Sequence, residues 1–463
     1  MTVALAAAAE GATASGGTAT YWITTAIFVV AFAAILSERI HKTVAALFGA
    51  GLMLVLEVVT QHEAFHTVEF GVDYNVVFLL ISMMIIVGIV ARSGLFEWVA
   101  VRSAKLAGGR PVAVMALYVA LTAVASAFLD NVTTVLLLAP VTLLIAEELD
   151  VDPVPFLIVE ALASNIGGTA TLIGDPPNIM IASRAELTFL DFLVHLAPAV
   201  LVMLAAMLVV VWLLFRNRLQ VSEERRRRVL AMDESRLIAD RRLAAQSIVV
   251  LGLSMVAFAL HGVLHLEPAT IAWMAAATLL LVSRQDVHAV LAGIEWSTVF
   301  FFLGLFVMVG GLRKVGVIHD VSHVVIELTE PSADDMTRTA STLLWFSGVA
   351  SAVVDNIPYV ATMTPLVLDM ANQVFHEGAA DAVELPAATL HAPALMPVWW
   401  ALALGSCLGG NGTPIGASAN VIVIGVAERS GVVITFRRFL AYGVPTLVLT
   451  LAISHIYLWL RYF

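Results

Sequence analysis

Apolar residues run in twelve long segments along this chain. Six fall at roughly 21–37, 43–60, 73–91, 111–147, 154–183 and 190–215, and six more at 243–264, 268–283, 296–313, 341–371, 397–427 and 439–460. Most are near the ~20 residues that cross ~30 Å of hydrocarbon as a helix. They predict an all-α polytopic membrane protein. Four segments are interrupted by residues that a lipid-spanning helix avoids. Segment 111–147 is broken at Asp130-Asn131 and segment 341–371 at Asp355-Asn356. Segment 154–183 contains SNIGGTATLIGDPPN (164–178), and segment 397–427 contains SCLGGNGTPIGASAN (406–420). Gly loosens a helix and Pro removes an amide donor, so each of the last two predicts a pair of half-helices joined by an unwound strip.

The four breaks are two copies of two motifs. ASAFLDNVTTVLLLAPV (125–141) matches ASAVVDNIPYVATMTPL (350–366) at seven of 17 positions, and the Gly-rich pair matches at seven of 15. Val77, Phe78, Gly88 and Gly94 match Val299, Phe300, Gly310 and Gly316 in the same order, with Arg92 opposite Lys314. Two internal repeats are therefore expected, 21–215 and 247–463, behind an N-terminal tail (1–20) expected to be flexible and separated by an Arg-rich linker (216–246). If 111–147 and 341–371 are re-entrant hairpins, each repeat has five crossings, of which 154–183 and 397–427 are the broken helices. Five is odd, so the second repeat inserts upside down relative to the first.

Charge orients the scheme. The linker carries RNRLQ, EERRRR and DRR, and Arg-rich short loops stay cytoplasmic. On that basis Arg39, Lys42, Arg92, Arg102, Lys105, Arg110, Arg284, Arg429, Arg437 and Arg438 also fall inside, and the loop 61–72, without Lys or Arg, falls outside. Arg313 and Lys314 are the exceptions, placed at the outer surface. A polar insertion around 373–393 is expected as a further outside loop. Composition agrees with a membrane domain: 60% of residues are hydrophobic and 13% charged, where a soluble domain has about a quarter charged. The single cysteine, Cys407, excludes an intramolecular disulfide and a multi-thiol metal site. The expected setting is the inner membrane; nothing calls for a nucleic acid or a cofactor.

Duplicated helix breaks at membrane depth point to the substrate site of a secondary transporter, because non-helical backbone is tolerated there only where it is buried in protein or lines a wet cavity. A carboxylate at a helix centre costs ~2.5–3.5 kcal/mol and persists where it binds a cation, relays a proton or pairs with a base. No Lys or Arg lies within the motifs. Asp130 and Asp355, each followed by Asn (Asn131, Asn356), are the expected carriers of H⁺ or Na⁺; their alternative role is to cap half-helices. Asp175 has Ala417 opposite it, so the half-sites are expected to differ. Hydroxyl, amide and exposed backbone groups complete the candidate site: Ser164, Asn165, Gly167, Gly168, Thr171 and Asn178 in the first repeat, and Ser406, Gly409, Gly410, Asn411, Thr413 and Asn420 in the second. Glu160 is read as a bland span residue that could face the cytoplasmic vestibule, and Cys407, inside the second motif, as small-residue packing with lining of the site as its alternative.

The strings FLDNVTTVLL (128–137), NIGGTATLIGDPPNIMI (165–181), VDNIPYVATM (354–363) and CLGGNGTPIGASANVI (407–422) resemble the ion transporter superfamily of ArsB-type arsenite permeases, NhaD-type sodium/proton antiporters and sodium-coupled carboxylate carriers. They are most similar to the branch of the melanosomal P protein. The resemblance implies an elevator-type carrier, a homodimer with a scaffold domain and a moving transport domain, and a site formed by the two hairpin tips and the two unwound strips. Ser164-Asn165 is followed by Ile166 and Ser406 by Cys407, which departs from the carboxylate carriers' signature and speaks against a dicarboxylate.

The leading expectation is a proton- or sodium-coupled exporter of a small inorganic species such as arsenite or antimonite. Na⁺/H⁺ antiport is the first alternative; a carboxylate or anion symporter and an anion channel are others. An intramembrane aspartyl protease also needs two embedded Asp residues, but the helix-breaking Gly/Pro segments and the lack of a Gly-x-Gly-Asp pattern count against it.

Overall fold

A computed structural model of the chain describes residues 2–37, 39–376 and 385–463, with side chains from residue 17 onward. In chain order the first helices are α1 (Thr2–Leu36), α2 (Lys42–Val55), α3 (Gln61–His66), α4 (Tyr74–Ala91), α5 (Leu95–Leu106), α6 (Pro111–Phe128) and α7 (Asn131–Leu149). They continue with α8 (Val154–Gly168), α9 (Pro176–Ala185), α10 (Phe189–His195), α11 (Ala197–Phe215), α12 (Glu223–Ala231), α13 (Arg241–Leu264) and α14 (Pro268–Ser283). The remainder are α15 (Val287–Ala292), α16 (Trp296–Lys314), α17 (Val317–Thr329), α18 (Thr337–Val353), α19 (Asn356–His376), α20 (Ala387–Leu390), α21 (Met396–Gly409), α22 (Ser418–Arg429) and α23 (Phe436–Tyr462). Eight helices of the described residues are long and apolar enough to cross a membrane. Side chains of most of the tail 1–20, and residues 377–384 of the insertion 373–393, lie outside the described residues.

All four predicted breaks fall where the polar motifs sit. Residues 129–130 separate α6 from α7, 169–175 separate α8 from α9, 354–355 separate α18 from α19, and 410–417 separate α21 from α22. Helices α5 and α17, outside the apolar segments, also correspond to each other. Each follows a glycine in the left-handed region, Gly94 at φ 75° and Gly316 at φ 89°, a conformation that side-chain-bearing residues avoid. The third repeat alignment thus marks a duplicated turn.

Two compact units emerge from the contacts. The first comprises Met1–Val77, Glu295–Thr339 and Ala361–Leu395. Its centre is the crossing of α2 and α16, where a side chain at Gly304 would meet the Ala46 backbone at 2.6 Å and the Thr43 hydroxyl donates to Ser297 O at 2.6 Å. Small residues that let two backbones approach are a common device for packing helices in lipid. Arg313 and Lys314, the exceptions to the charge rule, are both paired here: Lys314 Nζ lies 2.7 Å from Glu63 and Arg313 lies 3.6 Å from Glu69. Burial raises the Glu63 carboxyl, but hydrogen bonds from Lys314 and Thr60 outweigh it and hold the group below its ordinary value. Cations at the end of α16 are therefore neutralised by the loop 61–72.

The second unit comprises Phe78–Ile294, Ala340–Val360 and Met396–Phe463. Its linker is docked. Arg226 Nε donates to Gly108 O at 3.1 Å, just before α6, and Arg225 donates to Asp150 O at 3.3 Å, just after α7. Neighbouring residues of α12 thus hold the start of α6 and the end of α7. Arg438, at the start of α23, pairs with Asp152, just before α8. The chain entering α8 and the chain leaving α22 therefore meet, and the two broken helices run in opposite directions. At the far end of α23, Tyr457 donates to His195 O at 2.7 Å. Helices α11 and α23 are opposed in the same way.

Glu234 anchors the linker on α5, accepting from Lys105 and, at 3.2 Å, from Arg102. The hydrogen bond from Lys105, with help from Arg102, holds the Glu234 carboxyl below its ordinary value. A depressed carboxyl stabilises the docked form above its ordinary pKa and loses that effect as pH falls through the lowered one. At pH 7, Glu234→Gln should therefore speed tryptic cleavage within 216–246 by roughly two- to fivefold, the range of an exposed ion pair. Acidification of the wild type below the ordinary carboxyl range should loosen the linker in the same way, read with pepsin, which stays active there, and the variant should show little further change.

Candidate functional site

Each unwound strip is tied down by three side chains at equivalent positions, and all of them lie in the second unit. Ser126 near the end of α6 donates to Ser164 O at 2.7 Å, and Ser351 near the end of α18 donates to Ser406 O at 2.6 Å. Thr171 donates to Ala127 O, and Thr413 donates to Ala352 O at 2.5 Å. The Asn178 amide bridges Thr171 O at 2.9 Å and Thr169 O at 3.3 Å; Asn420 bridges Thr413 O at 2.9 Å and Gly410 O at 2.7 Å. A carbonyl freed by a helix break inside an apolar body costs about 1–3 kcal/mol if left unmet. These bonds meet that requirement twice, with homologous side chains.

Close backbone approach accounts for the glycines. A side chain at Gly174 would come within 2.5 Å of Gly168 O and 2.6 Å of Ser126 O, and one at Gly416 would meet Gly410 O at 2.9 Å and Ser351 O at 3.0 Å. Gly167 abuts the Ala123 backbone and Gly409 the Gly348 backbone, so these two expected site residues serve helix contact.

Carboxylates and amides fill the space between the strips. Asp130 caps α7, accepting from Thr133 N at 2.7 Å and Thr133 Oγ1 at 2.5 Å. Asp355 accepts from Ile357 N at 3.2 Å and Ser418 Oγ at 3.1 Å. The capping role weighed for both is thus present. Asp175 differs. It precedes α9 without capping it, and its two oxygens accept from the Asn356 amide at 3.3 and 3.1 Å. Asp130 and Asp355 both lie within electrostatic reach of Asp175. Neither Asp130 nor Asp175 is paired with Lys or Arg among the described residues.

A chain of amides runs beside the carboxylates. Asn131 donates to Asn165 Oδ1 at 3.3 Å, and Asn165 donates to Asn411 Oδ1 at 3.0 Å and Asn420 Oδ1 at 3.2 Å. Asn411 Nδ2 is buried with no partner. Cys407, in register with Asn165, donates to Asn178 Oδ1 at 3.5 Å and neighbours Asp175. Ser164 donates to Asn131 O at 3.0 Å, whereas Ser406 turns back onto Leu402 O of its own helix.

The structure thus brings Asp130, Asn131, Asn165, Asp175, Asn178, Asp355, Asn356, Asn411 and Asn420 together as one polar centre. It places Ser164, Thr171, Ser406 and Thr413 in backbone support. Ser126 and Ser351 were not anticipated, although the Ser-Ala pair preceding each hairpin tip repeats in both copies. Ser418 has no such signal, because Pro176 occupies its place in the first repeat. Glu160, read as a span residue that could face the cytoplasmic vestibule, is fully buried one turn before Ser164; it accepts from Thr142 at 2.6 Å and leaves Oε1 without a partner.

Comparison with known proteins agrees with this architecture. The chain is 45% identical over 437 residues to a protein named an uncharacterized transporter of Mycobacterium tuberculosis, spanning 94% of this chain and 97% of that one. It is 32% identical to the human P protein over 512 residues, spanning 94% of this chain and 59% of the P protein. Among solved structures, the Alcanivorax borkumensis YdaH transporter shares the fold, with a TM-score of 0.53, 15% identity and coverage of 90% of this chain and 95% of that one. The family described as "Citrate transporter" (CitMHS) matches residues 32–405. A helical bundle with a doubly broken, carboxylate- and amide-lined centre, and relatives that are transporters and not enzymes, place the chain in the CitMHS citrate transporter family of membrane transporters.

Proposed function

We propose that the protein is a proton- or sodium-coupled secondary transporter working by alternating, elevator-type access, with the hairpins 111–147 and 341–371 re-entrant. Coupling occurs at Asp130, Asp175 and Asp355. The observation that carries this reading is the grouping of three embedded carboxylates on broken helices, with neutral amides and, among the described residues, no Lys or Arg paired to Asp130 or Asp175. Such a centre suits H⁺ or Na⁺, because an added cation relieves like-charge repulsion and offsets the cost of burying the carboxylates. Binding at the hairpin tips then permits the loaded domain to move.

Cargo follows from the same chemistry. A cluster of carboxylates repels a bare tricarboxylate, so the citrate of the family's name fits only if it enters with cations. A small uncharged oxyacid fits better. Arsenite near neutral pH is mostly As(OH)₃, which the amides of Asn165, Asn411 and Asn420 can bind without a fixed charge, and export of such a species is our first reading. Na⁺/H⁺ antiport is the second, favoured by the uncapped carboxylate of Asp175. A homodimer in the inner membrane, with 216–246 cytoplasmic, completes the proposal.

Purified protein in liposomes holding a pH dye, challenged in turn with Na⁺, Li⁺, arsenite and citrate, separates these readings. One of them should trigger proton movement, and the Asp130→Asn/Asp355→Asn double variant should slow it about tenfold or more, the worth of one pKa unit of differential interaction. Flux that persists in the variant would reduce both residues to caps. Current that ignores proton and sodium gradients would instead favour a channel. Asp175→Ala recreates what the second repeat already accommodates at Ala417. It should fold with a melting temperature lowered by no more than about 5 °C, the loss of one amide–carboxylate contact, while coupled proton movement falls. Unchanged coupling would remove Asp175 from the site.

A further inference from the structure

Where α6 begins, α11 ends and α12 crosses them, the second unit holds a cavity of about 580 Å³. Arg110, Arg216 and Arg226 line it, with Trp212, Val112 and Ala113 among its apolar walls. Arg226 is fixed and partly neutralised, donating to Gly108 O at 3.1 Å and pairing with Glu223. Arg110 and Arg216 have no carboxylate partner among the described residues. The Arg216 guanidinium lies over the Trp212 ring at 4.4 Å, which orients it without offsetting its charge. Arg110 is the residue before α6 and supplies no side-chain cap, so the first amides of that helix add positive potential from the same wall. This is a strongly cationic hollow in a chain whose net charge is −11.

Its setting restricts what fits. Both α6 and α11 are apolar enough to cross a membrane, and the cavity opens at their ends, where a span meets the headgroup layer. Trp212, Leu213 and Leu214, in the turn of α11 next to it, are about half exposed and so face lipid. A ligand must therefore present an anion to the two arginines and a hydrocarbon part to Trp212 and its neighbours. Arginine forks match phosphate oxygens, and basic pockets between membrane helices hold anionic headgroups.

We infer that this cavity is a binding site for the phosphodiester headgroup of an anionic phospholipid. The lipid phosphate neutralises Arg110 and Arg216, its acyl chains lie along α11, and occupancy secures the linker against the start of α6.

The test uses the full chain in neutral detergent, titrated separately with dioctanoyl phosphatidylglycerol, dioctanoyl phosphatidylcholine and inorganic phosphate, with bound species counted by native mass spectrometry. Phosphatidylglycerol should be retained over phosphatidylcholine, and more salt should weaken it. Arg110→Gln/Arg216→Gln should weaken it about thirtyfold, the effect of roughly one unit of headgroup attraction per arginine. Arg227→Gln/Arg241→Gln, which removes equal charge from the linker outside the cavity, should leave it unchanged. If the glutamine variant fails to fold, Arg110→Lys/Arg216→Lys keeps the charge and loses the forks, and should give an intermediate loss. Equal retention of the two lipids, equal loss in both glutamine variants, or displacement of the lipid by inorganic phosphate at similar concentration would overturn the assignment, the last by pointing to a soluble phosphate instead.

Discussion

A helix that breaks inside an apolar body releases backbone groups that water does not reach, and the second unit is organised around satisfying them. Ser126 and Ser351 meet the carbonyls of Ser164 and Ser406, while Asn178 and Asn420 span the unwound strips. These side chains must approach backbone closely, so small residues stand where strip meets hairpin. Without this network the breaks would close into ordinary helix or open the unit. With it, carbonyls, amides and half-helix ends are held in fixed positions inside the unit, as the proposed transport of a small ion requires.

Duplication supplies two such supports, and the differences between them carry the chemistry. Asp130 and Asp355 each receive a bond that a cap receives, from Thr133 and Ile357, and Asp355 also accepts from Ser418. Asp175 instead accepts from Asn356 and lies beside Cys407 without capping its helix, and Ala417 occupies the corresponding place. Likewise Asn165 in one repeat is answered by Cys407 in the other. A symmetric scaffold therefore encloses an asymmetric centre. Helices α8 and α22 pack against each other, and Asn165 meets Asn411 and Asn420, so the two supports face one another.

Much of this was legible in the residues. Twelve apolar segments and four polar breaks translate directly into helices and interruptions, because a membrane helix leaves a long unambiguous run. Gly, Pro and Asp at the middle of such a run interrupt its hydrogen bonding wherever they occur. What pairs across the chain was not legible. Helices α5 and α17 lie in mixed sequence and are identified by Gly94 and Gly316. The docking of the linker depends on Glu234 meeting Lys105, more than a hundred residues away. Whether an aspartate caps or points inward depends on backbone angles, so Asp130, Asp175 and Asp355 look alike in sequence. Thr171 and Thr413 read as ligands by type, yet both hold carbonyls of the preceding hairpin.

Cargo is proposed to bind at the polar centre formed by Asp130, Asp175 and Asp355 with the amides of Asn165, Asn411 and Asn420. The chain's one cysteine reports on it directly, since Cys407 is buried there against Asn178 Oδ1. The decisive measurement is the rate at which a small thiol reagent labels Cys407 in liposomes, with and without each ion that drives flux. Labelling should be slowed by the transported species and restored when that species is removed. A rate indifferent to every ion that drives transport would place the cargo elsewhere in the molecule.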